Sequence, residues 1–389
     1  MNVISLLAVS APKDLWTIII NWVQGAVGNY GWTILLFTIL VKLAMSPLDF
    51  MVKLNTKRQN LIQKKCSPQI AKLQKRFASS PEQLKIQTQA IYKREGMKMG
   101  TSCIVMLLNM VLTMVVFFSL FASLKKVSAY EVINQYETIE ATYTEEFVSY
   151  LGEKTGNASI VDEKSANDWI ASLDENDPNY LTDRQIISNA TKSASSAVLE
   201  EWKDVKDSWL WVQNVWVADA TTSPLPTYDG LLSIADGGKY KSYVEENIDE
   251  ETYSKISAII SKESGNSKNG YYILPILAGV LTFLSQMVMD LHNKLKNKKA
   301  QKLANASDNS GASMKILKII MPIVMIGFAL SSSASFGIYL IASSLASIAI
   351  GEVVSLIINK MTKRQQQQVE EALEKEANRL IKKGKLQEN

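Results

Sequence analysis

The sequence predicts an all-α membrane protein with five transmembrane helices, a cytoplasmic helical hairpin and a largely helical extracellular insertion. Three observations lead there. Apolar residues make up 47% of the 389, but they are gathered into nearly uncharged runs rather than spread along the chain. Five of these runs approach the roughly 20 residues needed to cross about 30 Å of hydrocarbon. The segments between them alternate between strongly basic and strongly acidic, which is how multi-pass chains encode their orientation.

Residues 1–29 form the outer N-terminal segment. "MNVISLLAVSA" lacks a basic n-region and its apolar part is short, so it does not read as a standard signal peptide. "PKDLWTIIINWVQGAVGNYG" sets Leu15, Ile18, Ile19 and Trp22 at helical spacing. It reads as an interfacial amphipathic helix that breaks at Gly28–Gly31, the alternative being a simple extension of the first span. The first span covers 30–48. Segment 49–100 carries 12 Lys and Arg against 3 acids, net +9. Ser67-Pro68 and Ser80-Pro81 each read as an N-cap followed by a first-turn proline, Gln83 closes a capping box, and Gly96 ends the second helix. The expected object is a basic hairpin with a thin apolar stripe, either near anionic headgroups or simply solvated.

The second span covers 101–125 and leads into an extracellular domain, 126–270. Within it, 127–269 holds 11 basic residues against 26 acids, net −15. "DRQIISNATKSASSAVLEEWKDVKDSWLW" and "EENIDEETYSKISAIISK" read as helices and "TTSPLPTYDG" as a loop. The third span (271–292) is followed by a basic loop, 293–313, with five lysines against Asp308. The fourth (314–331) and fifth (336–358) spans flank a short outer turn. The tail, 359–389, is helix-prone; its residues 360–389 carry net +3. It reads either as a contact for RNA or acidic headgroups or as a solvated helix. Basic segments stay in the cytoplasm, so the N-terminus is expected outside and the C-terminus inside a cell membrane. Lys125 and Lys126, at the outer end of the second span, run against this rule but can snorkel.

Cys66 and Cys103 are the two cysteines and His292 the one histidine. Histidine metal sites and histidine-dependent triads are therefore disfavoured, and no P-loop occurs. No catalytic residue, metal site or cofactor is expected, and the chain does not read as an enzyme.

Ionisable residues inside a span are functional hypotheses by default. Lys42 lies about 15 Å below the outer interface, counting from Trp32, and Glu352 about 24 Å below Phe336. Asn109 lies about 12 Å above the inner face, and Gln286 about 22 Å below Tyr271. All four fall between the midplane and the inner leaflet; Thr113 is one turn from Asn109. A channel needs polar lining through both leaflets, so this set suggests a wet cavity open only to the cytoplasm. The plainer readings are that Lys42 and Glu352 snorkel and that Asn109 and Gln286 join neighbouring helices.

At these residues the chain resembles the YidC-type membrane protein insertases. The ordered set is a span with a central cation followed by Ser46-Pro47-Leu48, the basic hairpin and "YKREGMKMGTSCIVMLLNM". Then come "WLWVQNVWVAD", "YYILPILAGVLTFLSQ", "MKILKIIMPIVMIGFAL" and "FGIYLIASSLASIAIGE". The family's groove arginine falls on Lys42, which keeps the charge but loses the bidentate fork. Its tyrosine–tryptophan pair falls on Tyr339-Leu340, its Asn-Pro on Lys98-Met99, and prolines on Val105 and Val111. Cys103 and Asn109 stand where the family has cysteine and glutamine, and Ser285 replaces one of a glutamine pair beside Gln286. The acidic domain is enlarged, which marks a divergent, bacterial-type member.

The resemblance implies an insertase and chaperone that moves client transmembrane segments into the lipid bilayer. They would pass through a cytoplasm-open hydrophilic groove built on Lys42, Asn109, Thr113, Gln286 and Glu352. The implied partners are newly made membrane proteins, the ribosome and the Sec translocon, with no sequence-specific nucleic acid. Two other classes fit less well. A secondary transporter would use Lys42 and Glu352 but should carry an inverted repeat, and none is evident. A receptor or scaffold would work through 127–269.

Overall fold

The computed structural model describes residues 9–97, 99–235, 239–264, 268–295 and 311–382. The described residues form α-helices joined by loops, and among them no strand occurs. Two isolated bridges, Trp209–Val212 and Ala218–Ser333, are the β-type pairings. Most of the basic loop 293–313 and the side chains of Cys103 and His292 lie outside the described residues.

Among the described residues three helices are long and apolar enough to cross a membrane: Tyr30–Arg76, Ile104–Thr155 and Ala334–Glu376. Two further apolar helices, Ile273–Leu295 and Gly311–Ser331, have 23 and 21 residues. At 1.5 Å per residue each exceeds about 30 Å. The all-α membrane fold expected from the apolar runs is therefore present.

In chain order the helices are α1 (Leu15–Val27), α2 (Tyr30–Arg76), α3 (Pro81–Arg94), α4 (Met99–Thr155), α5 (Glu163–Ala171), α6 (Tyr180–Val205), α7 (Tyr228–Ile234), α8 (Lys239–Asn247), α9 (Glu250–Glu263), α10 (Ile273–Leu295), α11 (Gly311–Ser331) and α12 (Ala334–Lys382). They divide between two compact units. One gathers Met1–Phe37, Ser119–Ala278 and Ile326–Leu340; the other gathers Thr38–Phe118, Gly279–Met325 and Ile341–Asn389.

The first unit holds the acidic globular part. Its spine is the second half of α4, which runs unbroken because residues 101–151 contain neither glycine nor proline. The expected boundary at 125/126 is thus not a helix end. Buried Leu124, Val127, Ile133, Tyr136, Ile139, Tyr143 and Leu151 recur at helical spacing along it. Ala190, Ala194, Val198 and Trp202 line the buried face of α6, and Tyr253, Ile256 and Ile260 that of α9. The predicted helix over "EENIDEETYSKISAIISK" is two: α8 ends at Asn247, and Asp249 starts α9 by accepting a 2.8 Å bond from the Thr252 amide.

α1 begins at Asp14, whose carboxylate accepts from the amides of Trp16 and Thr17, and ends at Gly28 in the left-handed region, φ 78°. The "WLWVQNVWVAD" motif is a loop that gathers several helix ends. Trp216 meets Tyr30 edge-on at 4.7 Å, and Trp209 meets Trp32 at 5.5 Å. Ala334 and Ser335 donate their amides to Val217 and Val215 at 2.9 and 2.7 Å. Buried Asn214 donates to Gln135 at 2.7 Å, and its amide is held by Asn269 at 2.8 Å. One loop therefore ties the starts of α2 and α12, the extension of α4 and the segment before α10.

The second unit holds the basic hairpin. Here the structure corrects one expectation. Ser67-Pro68 does not start a helix; α2 runs through Pro47 and Pro68 to Arg76. Ser67 Oγ bonds back to the Lys64 carbonyl at 2.8 Å instead of capping. An interior proline costs about 3 kcal/mol, but burial of Leu61 and Cys66 on the preceding turns favours continuity. α3 does begin at Ser80-Pro81, without the capping bond expected from Ser80. It closes in a Schellman motif: Gly96 (φ 80°) donates to Lys93 at 3.1 Å and Met97 to Tyr92 at 2.9 Å.

Candidate functional site

All five residues expected to line the groove fall in the second unit. Lys42 is half-buried on α2. It makes no ion pair among the described residues. The carboxylate acting on it is Asp49, seven residues on and so two turns along the same helix. Positions 42, 46, 49 and 53 recur at four, three and four residues, which puts Lys42, Ser46, Asp49 and Lys53 on one face.

Lys53 reaches the α12 backbone next to Glu352: a Cβ on Gly351 would lie 3.1 Å from Lys53 Nζ. A side chain at position 351 would press on this ammonium, which ends a flexible chain and can shift by a few tenths of an ångström. Neither Lys53 nor Asp49 was singled out from the sequence, although their helical spacing from Lys42 is a signal that could have found them.

Asn109 Oδ1 is buried and has no hydrogen-bond partner among the described residues. An orphaned carboxamide oxygen in an apolar helix costs roughly 1–3 kcal/mol, so its retention calls for a reason. Thr113 donates to the Asn109 carbonyl at 2.7 Å and so satisfies itself within α4. Gln286 is half-buried and makes no hydrogen bond among the described residues. One turn before it, the Thr282 and Ser344 hydroxyls lie 3.3 Å apart and link α10 to α12. That hydroxyl pair was also missed, because each residue alone reads as a small polar group in a span.

Beside Lys42 the structure places an apolar groove of about 440 Å³ between α2 and α12. Leu43, Pro47 and Phe50 line it from one side, and Ile350, Val353 and Ile357 from the other. Ser46, its one hydroxyl, is turned to the Leu43 carbonyl at 2.8 Å. Polar groups and an apolar cleft thus occupy the same unit. Around them the α4 span is bare: Ile104, Met106, Leu107, Leu108 and Met110 are all more than half exposed. That much exposed apolar surface belongs in lipid or against an apolar partner.

The tail, expected either to bind RNA or headgroups or to be solvated, is helical and mostly exposed, with Thr362 and Val369 buried. α12 continues to Lys382 and lies along the α2 extension, with Lys72 and Glu376 paired at 2.5 Å and Val369 buried. On its other side α2 meets α3 through Lys65–Glu95 at 2.7 Å and Arg94–Gln69 at 3.0 Å. Burial pushes the Cys66 thiol up and the Lys64 ammonium down, the latter opposed by Glu370.

The profile of the 60Kd inner membrane protein family matches residues 22–201. The membrane protein insertase YidC of Granulibacter bethesdensis is 32% identical over 102 residues, which is 26% of this chain and 16% of that protein. The insertases YidC of Wolinella succinogenes and Helicobacter pylori are 28% identical over 93 residues and 29% over 104, covering 24% and 27% of this chain and 17% and 18% of theirs. The aligned stretches thus span less than a fifth of these relatives' own length. No solved structure matches the chain. Over residues 22–201, which hold Lys42 and the hairpin, this chain is therefore similar to the YidC-type membrane protein insertases.

Proposed function

We propose that this chain is a membrane protein insertase and chaperone whose clients enter beside α2. One observation carries this reading: Lys42 stands half-buried in an apolar span, in the same unit as the buried Asn109 oxygen and the apolar cleft. A lysine at mid-span costs about 2.5–3.5 kcal/mol on insertion scales. A site that keeps it must use it or wet it. Acidic flanks of a client would be drawn to Lys42 while its apolar segment slides along the α2–α12 cleft into lipid, with no nucleotide consumed. The hairpin and the tail would face the cytoplasm and meet ribosomes or emerging clients. The acidic unit would stand outside.

The test is site-specific crosslinking from position 42 to stalled membrane-protein nascent chains in reconstituted vesicles. Crosslinks to client spans that vanish with a soluble nascent chain are the expected result. Normal client insertion by Lys42→Met, with no crosslinks from position 42, would overturn the reading.

A further inference from the structure

In the first unit, a cavity of about 400 Å³ opens between α1, the start of α2 and the α4 extension. α1 shows it a polar stripe, Thr17, Asn21 and Gln24, spaced four and three residues apart. Tyr30, Tyr130 and Glu131 add to it, with Ala11, Pro12, Gly25 and Val127 as the apolar remainder, and no lysine or arginine is among the described lining residues. Glu131 accepts one hydrogen bond, from the Tyr30 hydroxyl at 3.2 Å. The other charge acting on it is Asp207, held by the Trp216 indole at 2.5 Å and by Gln135 at 3.3 Å. The cavity therefore offers one carboxyl group, two phenols and amide oxygens, with no lysine or arginine among its described lining.

We propose that this cavity binds an ammonium group, with Glu131 as its counter-ion and Tyr30, Tyr130 and the α1 amides around it. Aromatic and carboxylate groups together are the usual means of holding ammonium ions. Thr33 donates to Gln24 Oε1 at 2.6 Å, which fixes that amide in place. The ammonium can come from a lipid headgroup or from a soluble amine. Position favours the headgroup: the adjacent stripe of α1, Leu15, Ile18 and Trp22, is 59–74% exposed, as in a helix lying at the membrane surface. Burial and Asp207 push the Glu131 carboxyl up to about 7. A bound cation would keep it ionised at neutral pH.

The test uses the full-length protein in detergent with equal amounts of phosphatidylethanolamine and phosphatidylglycerol, retained lipid being read by native mass spectrometry. The wild type should keep the ethanolamine lipid about tenfold better, and the preference should fade as pH falls below about 7. Glu131→Gln should abolish it; Tyr130→Leu, which leaves the carboxyl in place, should weaken it. A parallel arm adds free ethanolamine to protein in phosphatidylglycerol micelles. A rise in melting temperature there that Glu131→Gln abolishes assigns a soluble amine instead of a headgroup. Equal retention of the two lipids with no response to ethanolamine overturns the proposal, as does a preference that survives Glu131→Gln.

Discussion

The indole of Trp209 occupies the space that a side chain on Gly31 would need: a Cβ there would lie 2.1 Å from its Cγ. The "WLWVQNVWVAD" loop can close over the start of α2 only because position 31 is glycine. The atoms in the way are near the Trp209 backbone and cannot swing aside. Gly31→Ala should therefore destabilise the protein by about 1–3 kcal/mol, as overpacking does. Thermal melts of Gly31→Ala, Trp209→Ala and the double variant check this, with the double costing less than the sum.

Glu131 supplies a pH signature. Its carboxyl is raised from 4.5 to about 7 by burial and by Asp207. Between these values the folded state holds a proton that the unfolded chain has released. Its contribution is thus present at low pH and is lost as pH rises through this window. Glu131→Gln removes the dependence. It should match the wild type in acid and be more stable at alkaline pH, by at most about 3 kcal/mol. Chemical denaturation across the pH range reads the difference, and a pH-independent gap would rule out the assignment.

Lys42 should trade stability for function. Lys42→Met removes a charge from an apolar span and should raise the melting temperature while slowing insertion of clients with acidic flanks. Lys42→Arg keeps the charge and should retain most activity. The two measurements, melting in detergent and insertion into vesicles, must move in opposite directions for Lys42→Met.

The Lys72–Glu376 pair ties the tail to α2 but is exposed on the lysine side, 61% against 21%. Such a pair is worth about 1 kcal/mol or less. A double-mutant cycle with Lys72→Ala and Glu376→Ala should give a coupling of that size that shrinks as salt rises. Cysteines at the same two positions should crosslink, because the Lys72 and Glu376 side chains meet at 2.5 Å.

Pro68 marks where local rules fail. Serine before proline reads as a helix start, yet α2 continues through it. Pro68→Ala should leave the hairpin intact and stabilise it by up to about 3 kcal/mol, measured by hydrogen exchange along residues 60–76. The α8–α9 break failed in the opposite direction. The Asp249 cap lay within an apparently continuous pattern, because a helical period persists across a two-residue interruption.

Apolar run length, helical period and the isolation of Lys42 are local properties, so the amino-acid order was enough to predict the all-α membrane class and the residue that draws attention. Packing chose the partners. Lys53 against Gly351, Trp209 over Gly31, Thr282 beside Ser344 and the tail along α2 join residues far apart in the chain. No periodicity encodes such pairs, because which faces meet depends on how whole helices fit against one another. The same fit decides which lysine of α2 meets α12: it is Lys53 that reaches the backbone beside Glu352.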